Sequence, residues 1–296
     1  MRKLKEKYEK FIVDVDRLDK PLYFTCNPSK LGNLFGANPE APNFLTPVFF
    51  DRKVLEKYYF SPEEYSVDDG CLSMGIKWGI RIDNNLKENV SVYLGDLGSL
   101  PHEEQLHWKI HNIPKGKISQ PFFKRNILAE FSSPTSPPEY FKEKMAIFTQ
   151  KWKNKFGWDL FKPLNKGDEH HWKTLRMPKE KSQKEFDENI TSLIKILIDS
   201  LNQDKMGEEV GHLKDERSIS LLDRYLKEKH GLNLPKMVSF LRDIQDLRSK
   251  GSAHRKGEDF SKFYEKYDKG DFSKTFETIL INAIKTLNTI ENKIVS

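Results

Sequence analysis

A chain of 296 residues is long enough for two domains with sizeable cores, and its formal net charge of +6 (50 Lys and Arg against 44 Asp and Glu) permits a polyanionic partner without requiring one. Two cysteines, Cys26 and Cys71, do not make a disulfide framework and point to a reducing, cytoplasmic compartment. No apolar run reaches membrane-spanning length, and the charged start Met-Arg-Lys-Leu-Lys-Glu-Lys lacks the apolar stretch of a secretory signal.

In chain order, Asp51 to Tyr58 reads as a short helix. Ile76, Trp78, Ile80 and Ile82 then alternate with Lys77, Gly79 and Arg81, which is strand periodicity. Asp83 to Asn89 supplies a turn and Val90, Val92 and Leu94 alternate again, so 75–95 is predicted to be a β-hairpin. Gly95-Asp-Leu-Gly98 is too short for a phosphate loop. Pro101 opens a helix to about His111, with Glu103 and Glu104 in its first turn, where carboxylates favour the helix dipole. After the Pro/Ser-rich break Ser132 to Pro138, a helix is expected over 138–156, and Trp152, Phe156, Trp158 and Phe161 read as packing residues. Residues 162–182, rich in Lys, Pro, Gly and His, are the expected boundary. They separate a mixed α/β accessory region at 1–175 from a helical bundle at 176–296, an α+β fold that is mainly helical.

The bundle is the more legible half. Phe186, Ile190, Leu193, Ile194, Leu197, Ile198 and Leu201 form one apolar stripe at helical spacing. Phe272, Phe276, Ile279, Leu280, Ala283, Ile284, Leu287, Ile290 and Ile294 form another, with Asp271 or Ser273 as its cap. Residues 202–217 are polar and read as a connecting loop. Ser218 to His230 reads as an exposed helix ended by Gly231, and Asn233 with Pro235 starts the next, which carries Met237, Phe240, Leu241, Ile244 and Leu247. From Lys179 onward the charge is nearly balanced (22 Lys and Arg, 21 Asp and Glu), so most of the basic excess lies N-terminal.

Two arginines stand six residues before a histidine. With eight histidines in 296 residues, about one Arg-x(4–6)-His match arises by chance, so context must choose. Arg224 and His230 lie on one helix about 120° apart and read as an ordinary solvated face. Arg248 instead falls four after Ile244 and seven after Leu241, on the apolar face, where a cation must find a partner or line a cleft. Gly251 then lets the chain turn before His254. Arg248, Lys250, Arg255 and Lys256 make a basic island that could hold a few phosphates, and 256–271 reads as a charged, aromatic loop or short helix after it. A permanent cation beside a group titrating near neutrality suits phosphodiester chemistry. The bland reading is a helix C-terminus favoured by cations.

The segment Leu241-Arg-Asp-Ile-Gln-Asp-Leu-Arg248 followed by Ser249-Lys-Gly-Ser-Ala-His254-Arg-Lys resembles the R-x(4–6)-H signature of HEPN-domain ribonucleases, over roughly residues 180–296. The resemblance implies an all-helical bundle and a metal-independent endoribonuclease with no cofactor. It also implies a homodimer whose facing motifs form one composite site. Arg248 would hold the phosphate and His254 would move a proton. Ser249, where the family commonly has Asn, Asp or His, would orient the arginine, and Lys250, Arg255 and Lys256 would position the RNA backbone. The family's usual setting implies a toxin-like effector of bacterial anti-phage defence, with an antitoxin or defence-system partner protein, and a sensing or recruiting role for 1–175. The rival within the resemblance is a non-catalytic dimerisation or RNA-binding module.

A metal enzyme is the remaining alternative. His107 and His111 are four apart on one predicted helix, preceded by His102, and His170 and His171 follow Asp168-Glu169. The first set reads better as a polar face. The second reads better as an interdomain hydrogen-bonding element, since adjacent histidines in a strand or loop point apart and need a third ligand from elsewhere.

Overall fold

The computed structural model describes residues 7–33, 35–251 and 271–295, with the side chains at 249 and 250 outside that description. The fold is α+β and mainly helical, as the patterning predicts. Two compact units divide it, Met1–Ser136 and Pro137–Ser296. The helix expected over 138–156 therefore belongs with the second unit, because its apolar face (Phe141, Met145, Phe148, Trp152) is buried in that unit's core.

In the first unit β1 (Lys10–Val15) and β2 (Pro21–Thr25) form an antiparallel hairpin. Asp16 tightens its turn by accepting from the backbone N–H of Leu18 and Lys20. A second sheet has β3 (Pro47–Phe50) at its centre, flanked by β7 (Val90–Tyr93) and β8 (Asn112–Ile113). A third is the meander β4 (Ser66–Asp68), β5 (Cys71–Met74) and β6 (Trp78–Arg81). The region does contain hairpins, but 75–95 is not one. β6 pairs with β5 and β7 with β3, and between the two arms there is an isolated bridge, Asp83 to Ser91.

The reason lies in the supposed turn. Asp83, Asn84, Asn85 and Asn89 are buried and spend their side chains on distant partners. Asp83 accepts from the N–H and hydroxyl of Ser119, Asn84 donates to the Asp68 carbonyl, Asn85 accepts from the Thr135 N–H, and Asn89 exchanges two bonds with the Lys117 backbone. A polar run built into the core cannot also be a solvated two-strand turn. The helix expected at 51–58 is a 3-10 turn, Arg52–Leu55, continuing into α1 (Glu56–Tyr59). The short helices α2 (Leu94–Leu97) and α4 (Gln120–Asn126) flank the helix predicted after Pro101, here α3 (His102–Ile110).

Glu104 of α3 has a role beyond favouring a helix start. It is buried, accepts from the Tyr58 hydroxyl at 2.7 Å and pairs with Lys57 Nζ at 2.6 Å, while Trp108 Nε1 donates to the Tyr58 oxygen at 2.8 Å. Burial, and then the Glu104 carboxylate, push the Tyr58 hydroxyl far above its ordinary pKa. Trp108 in turn stands edge-on to Phe50 of β3, with centroids 4.7 Å apart. Removing one member strands the others. Tyr58→Phe or Glu104→Leu is expected to cost about 1–3 kcal/mol in urea unfolding. The double variant should cost less than the sum of the two, because they share one network.

The second unit is a set of helices around a single core: α5 (Pro137–Phe156), α6 (Glu169–Thr174), α7 (Gln183–Ile194), α8 (Gln203–Val210), α9 (Ser218–His230), α10 (Pro235–Gly251) and α11 (Phe272–Ile290). Both apolar stripes are buried as read, from Phe186 to Leu201 and from Phe276 to Ile294, except that Phe272 at the start of the second is only half-buried. Each fully buried Leu, Ile or Phe contributes roughly 1.5–3 kcal/mol. Asp271 caps α11 by accepting from the Lys274 N–H, and Gly231 ends α9 with φ 64°, a left-handed turn that suits glycine. Two stretches depart from α geometry. α7 runs on into a π segment, Lys195–Asp199, and α11 into another, Glu291–Val295.

The polar stretch 202–217 is not all loop. Asn202 accepts from the Lys205 N–H and starts α8, whose Met206 and Gly207 are buried. A β-carbon at Gly207 would fall 2.0 Å from the His212 ring, so the close approach of that ring requires glycine there. No helix among the described residues is long and apolar enough to cross a membrane.

Candidate active site

The site is built outward from Arg248. Its helix α10 buries Met237, Val238, Phe240, Leu241, Ile244 and Leu247, which leaves the arginine at the end of an apolar face. There it finds a partner. Arg248 Nη1 donates to Asp199 Oδ2 at 2.6 Å, and the two side chains are about equally exposed, 33 and 31%.

Asp199 ends the π segment that Lys195 begins. Lys195 Nζ lies 4.0 Å from Asp199 Oδ2 and 3.5 Å from Asp168 Oδ2, so one ammonium bridges two carboxylates. Asp168 precedes α6, and its Oδ1 is 4.0 Å from His171 Nε2. The other ring nitrogen of His171, Nδ1, is 3.0 Å from the Ser192 hydroxyl of α7. The His170 ring lies over that of His171, with centroids 4.0 Å apart and planes at 39°. His170 Nδ1–H donates to the Gly167 carbonyl at 2.8 Å. Desolvation, followed by the neighbouring His170, holds the His171 imidazole below the ordinary histidine range.

Arginine, lysine, two aspartates and two stacked histidines thus converge from α10, the π segment and α6. The formal charges of the arginine, the lysine and the two aspartates cancel. The cluster is open to solvent on the arginine and lysine side, and a phosphate could compete there with the carboxylates for both cations. π turns recur at functional sites.

Of the residues expected to form the site, Arg248 is placed as above. Ser249 and Lys250 continue α10, but their side chains lie outside the described residues, as do His254, Arg255, Lys256 and the rest of the charged stretch to 270. The histidines of α6 bond within their own unit. They sit on a helix with stacked rings, which corrects the expectation that they point apart. Lys195 and Asp199 were not singled out from sequence. Two opposite charges four apart, inside an apolar run from Ile190 to Leu201, were the available signal.

The competing pair is corrected too. Arg224 is not on a solvated face. Its guanidinium takes both Glu216 oxygens (2.9 and 2.6 Å) and donates to the Val210 and Gly211 carbonyls, both at 2.7 Å, at the end of α8. His230 turns the other way, against Trp152, Phe156 and Tyr225, and burial lowers its pKa. The two side chains therefore serve separate packing tasks.

The N-terminal histidines are likewise engaged by protein groups. His102 Nε2–H donates to Glu9 and His107 Nε2–H to the Val54 carbonyl. No group of three or more His, Cys, Asp or Glu side chains among the described residues is placed to hold a metal ion. Cys26 is buried and Cys71 exposed, both as free thiols, and burial pushes the Cys26 thiol up to about 11. Comparison with protein-family models, with curated proteins and with solved structures finds nothing that matches this chain.

Arg224→Ala is expected to lower the urea midpoint of the second unit by uncapping α8. Arg224→Lys should recover only part of the loss, since lysine cannot bond Glu216 and two carbonyls at once. An unchanged midpoint in both variants would show that the cap contributes nothing.

Proposed function

We propose that the chain is a metal-independent endoribonuclease with a HEPN-like C-terminal bundle, acting as a toxin-like effector of anti-phage defence. The observation that supports this reading best is Arg248 itself. It is a partly exposed guanidinium at the end of an otherwise buried helix face, held in place by Asp199. It stands six residues before His254.

In this mechanism the ribose 2′-oxygen attacks the adjacent phosphorus. The O2′–P bond forms and the P–O5′ bond breaks, giving a 2′,3′-cyclic phosphate and a 5′-hydroxyl. Arg248 holds the phosphate and balances the charge gained in the transition state. His254 transfers a proton, Ser249 orients the arginine, and Lys250, Arg255 and Lys256 position the backbone. Two chains pair through the bundle in a homodimer that brings both motifs to the two-fold axis.

A second reading draws on the same ion pair. An arginine already bonded to a carboxylate also suits a structural link, and the chain would then be a non-catalytic dimerisation or RNA-binding module.

Arg248→Ala and His254→Ala should each abolish cleavage of an oligoribonucleotide with the circular dichroism spectrum unchanged. A strand with a single 2′-deoxy sugar at the cut should bind and resist. EDTA should leave the rate unaltered, and rising salt should weaken binding. Cleavage of DNA, or loss of activity in chelator restored by a divalent ion, would sink the mechanism. A wild type that dimerises or binds RNA without cutting it would favour the structural link, and an active Arg248→Ala would remove Arg248 from the mechanism. Sedimentation should show a dimer at micromolar concentration, and a strict monomer with full activity would remove the composite site.

A further inference from the structure

We propose that the second unit carries a binding pocket for a small organic cation with an aromatic body, its ammonium held by the Glu169 carboxylate and the Trp172 ring. The site uses other side chains than the Arg248 cluster and does not rest on the endoribonuclease reading.

The pocket lies among α5, the segment that follows it, α6 and the π segment, and encloses about 480 Å³. That is within the size range of small-molecule sites. Backbone bonds set its shape. The Lys162 N–H donates to the Ser200 carbonyl at 2.7 Å, and the Asn202 N–H donates to the Leu160 carbonyl at 2.8 Å. Phe161 forms a bridge with Leu201, so residues 160–162 are tied to the end of the π segment. Met145, Phe161 and Ile196 supply a buried apolar floor. Ala146, Thr149 and Ser200 line the space as well, and their short side chains leave it unfilled. A pocket tied in this way is preformed, so a ligand need not order it first.

Charge selects the ligand. Three lining side chains carry formal charge, Lys162, Glu169 and Lys173. Lys162 is bonded to Asp204 Oδ2 at 2.5 Å, and Lys173 is not free either. Glu169 is exposed, and its carboxylate has no partner among the described residues. It opens α6, and Trp172 stands three residues on, so the carboxylate and the indole share one helix face. The Trp172 indole packs against the core while half-buried, and makes no ring contact among the described residues. An aromatic face beside an unpaired carboxylate suits a cation. The ring attracts it through its π electrons, and the carboxylate accepts its N–H bonds. The apolar floor takes the body of the ligand. An anion would meet the unpaired Glu169 and find both lysines already engaged.

Three probes with one ring system isolate the charge. They are 1-naphthylmethylamine, 1-naphthalenemethanol and 1-naphthoate, each titrated calorimetrically into the full-length chain near neutral pH. The amine should bind with a dissociation constant at or below about 1 mM. It should bind at least about threefold tighter than the alcohol, and tighter still than the naphthoate. Glu169→Gln should bring the amine to the alcohol's affinity and leave the alcohol unchanged. Ala146→Trp fills the pocket from an exposed position of α5 and should abolish binding of the amine with the thermal midpoint unchanged. An amine that binds no tighter than the alcohol overturns the cation site, as does a preference for the amine that survives Glu169→Gln. Binding that persists in a folded Ala146→Trp puts the probe elsewhere and overturns it too, and so does a wild type that binds no amine. Should Ala146→Trp fail to fold, Glu169→Gln, at an exposed position, decides alone. Because the readout is binding of a small cation, either result leaves the endoribonuclease reading where it stands.

Discussion

Asp199 carries the candidate site. A guanidinium at the end of a buried helix face is costly without an anion, and Asp199 is the anion that Arg248 meets. The same carboxylate lies near the ammonium of Lys195, which draws in Asp168 and, through it, the histidines of α6. Three segments far apart in sequence are thus tied to one side chain. The geometry is rigid on the core side, where Ile196, Leu197 and Ile198 of the same π segment are buried. It is open on the polar side, where the charges face water.

The first unit rests on a different kind of constraint. Its sheets are small, and polar side chains replace the missing strand pairings. Glu104, Asp83 and the asparagines at 84, 85 and 89 all serve backbone or side-chain donors and acceptors that would otherwise be stranded. Such a core is specified by completeness, since one deleted partner exposes several unsatisfied groups. The second unit is held by apolar stripes instead, and its polar groups gather at helix ends, as with Arg224 at α8 and Asp271 at α11.

The helices of the second unit were legible because their apolar residues recur every three or four positions, and Gly231, Asp271 and Pro235 mark ends where the structure has them. α8 was not legible that way. Its composition is polar and it buries little beyond Met206 and Gly207, although Asn202 was a usable cap signal. Missing α8 also caused the misreading of Arg224, whose partners are that helix's last carbonyls and the turn after it. Strand alternation at 76–82 and 90–94 was genuine, but alternation says nothing about which strand is the neighbour. Of the site, the placement of Arg248 on an apolar face could be read from spacing alone. Its meeting with Asp199, 49 residues away, could not, because that contact depends on how α10 packs on α7.

The π segment has a consequence for how such a site could arise. A π turn spends one more residue per hydrogen-bonded loop than an α turn, so Lys195–Asp199 is equivalent to an α-helix lengthened by a single inserted residue. Deleting one residue there would wind the segment back to α geometry and leave the helix faces on either side of it nearly unchanged. The apolar stripe would survive, but the spacing that sets Lys195 against Asp199 would not. Chains that keep the core but differ by one residue in this helix would share a fold without sharing the charged cluster, and helix length rather than side-chain identity would be the inherited difference between them.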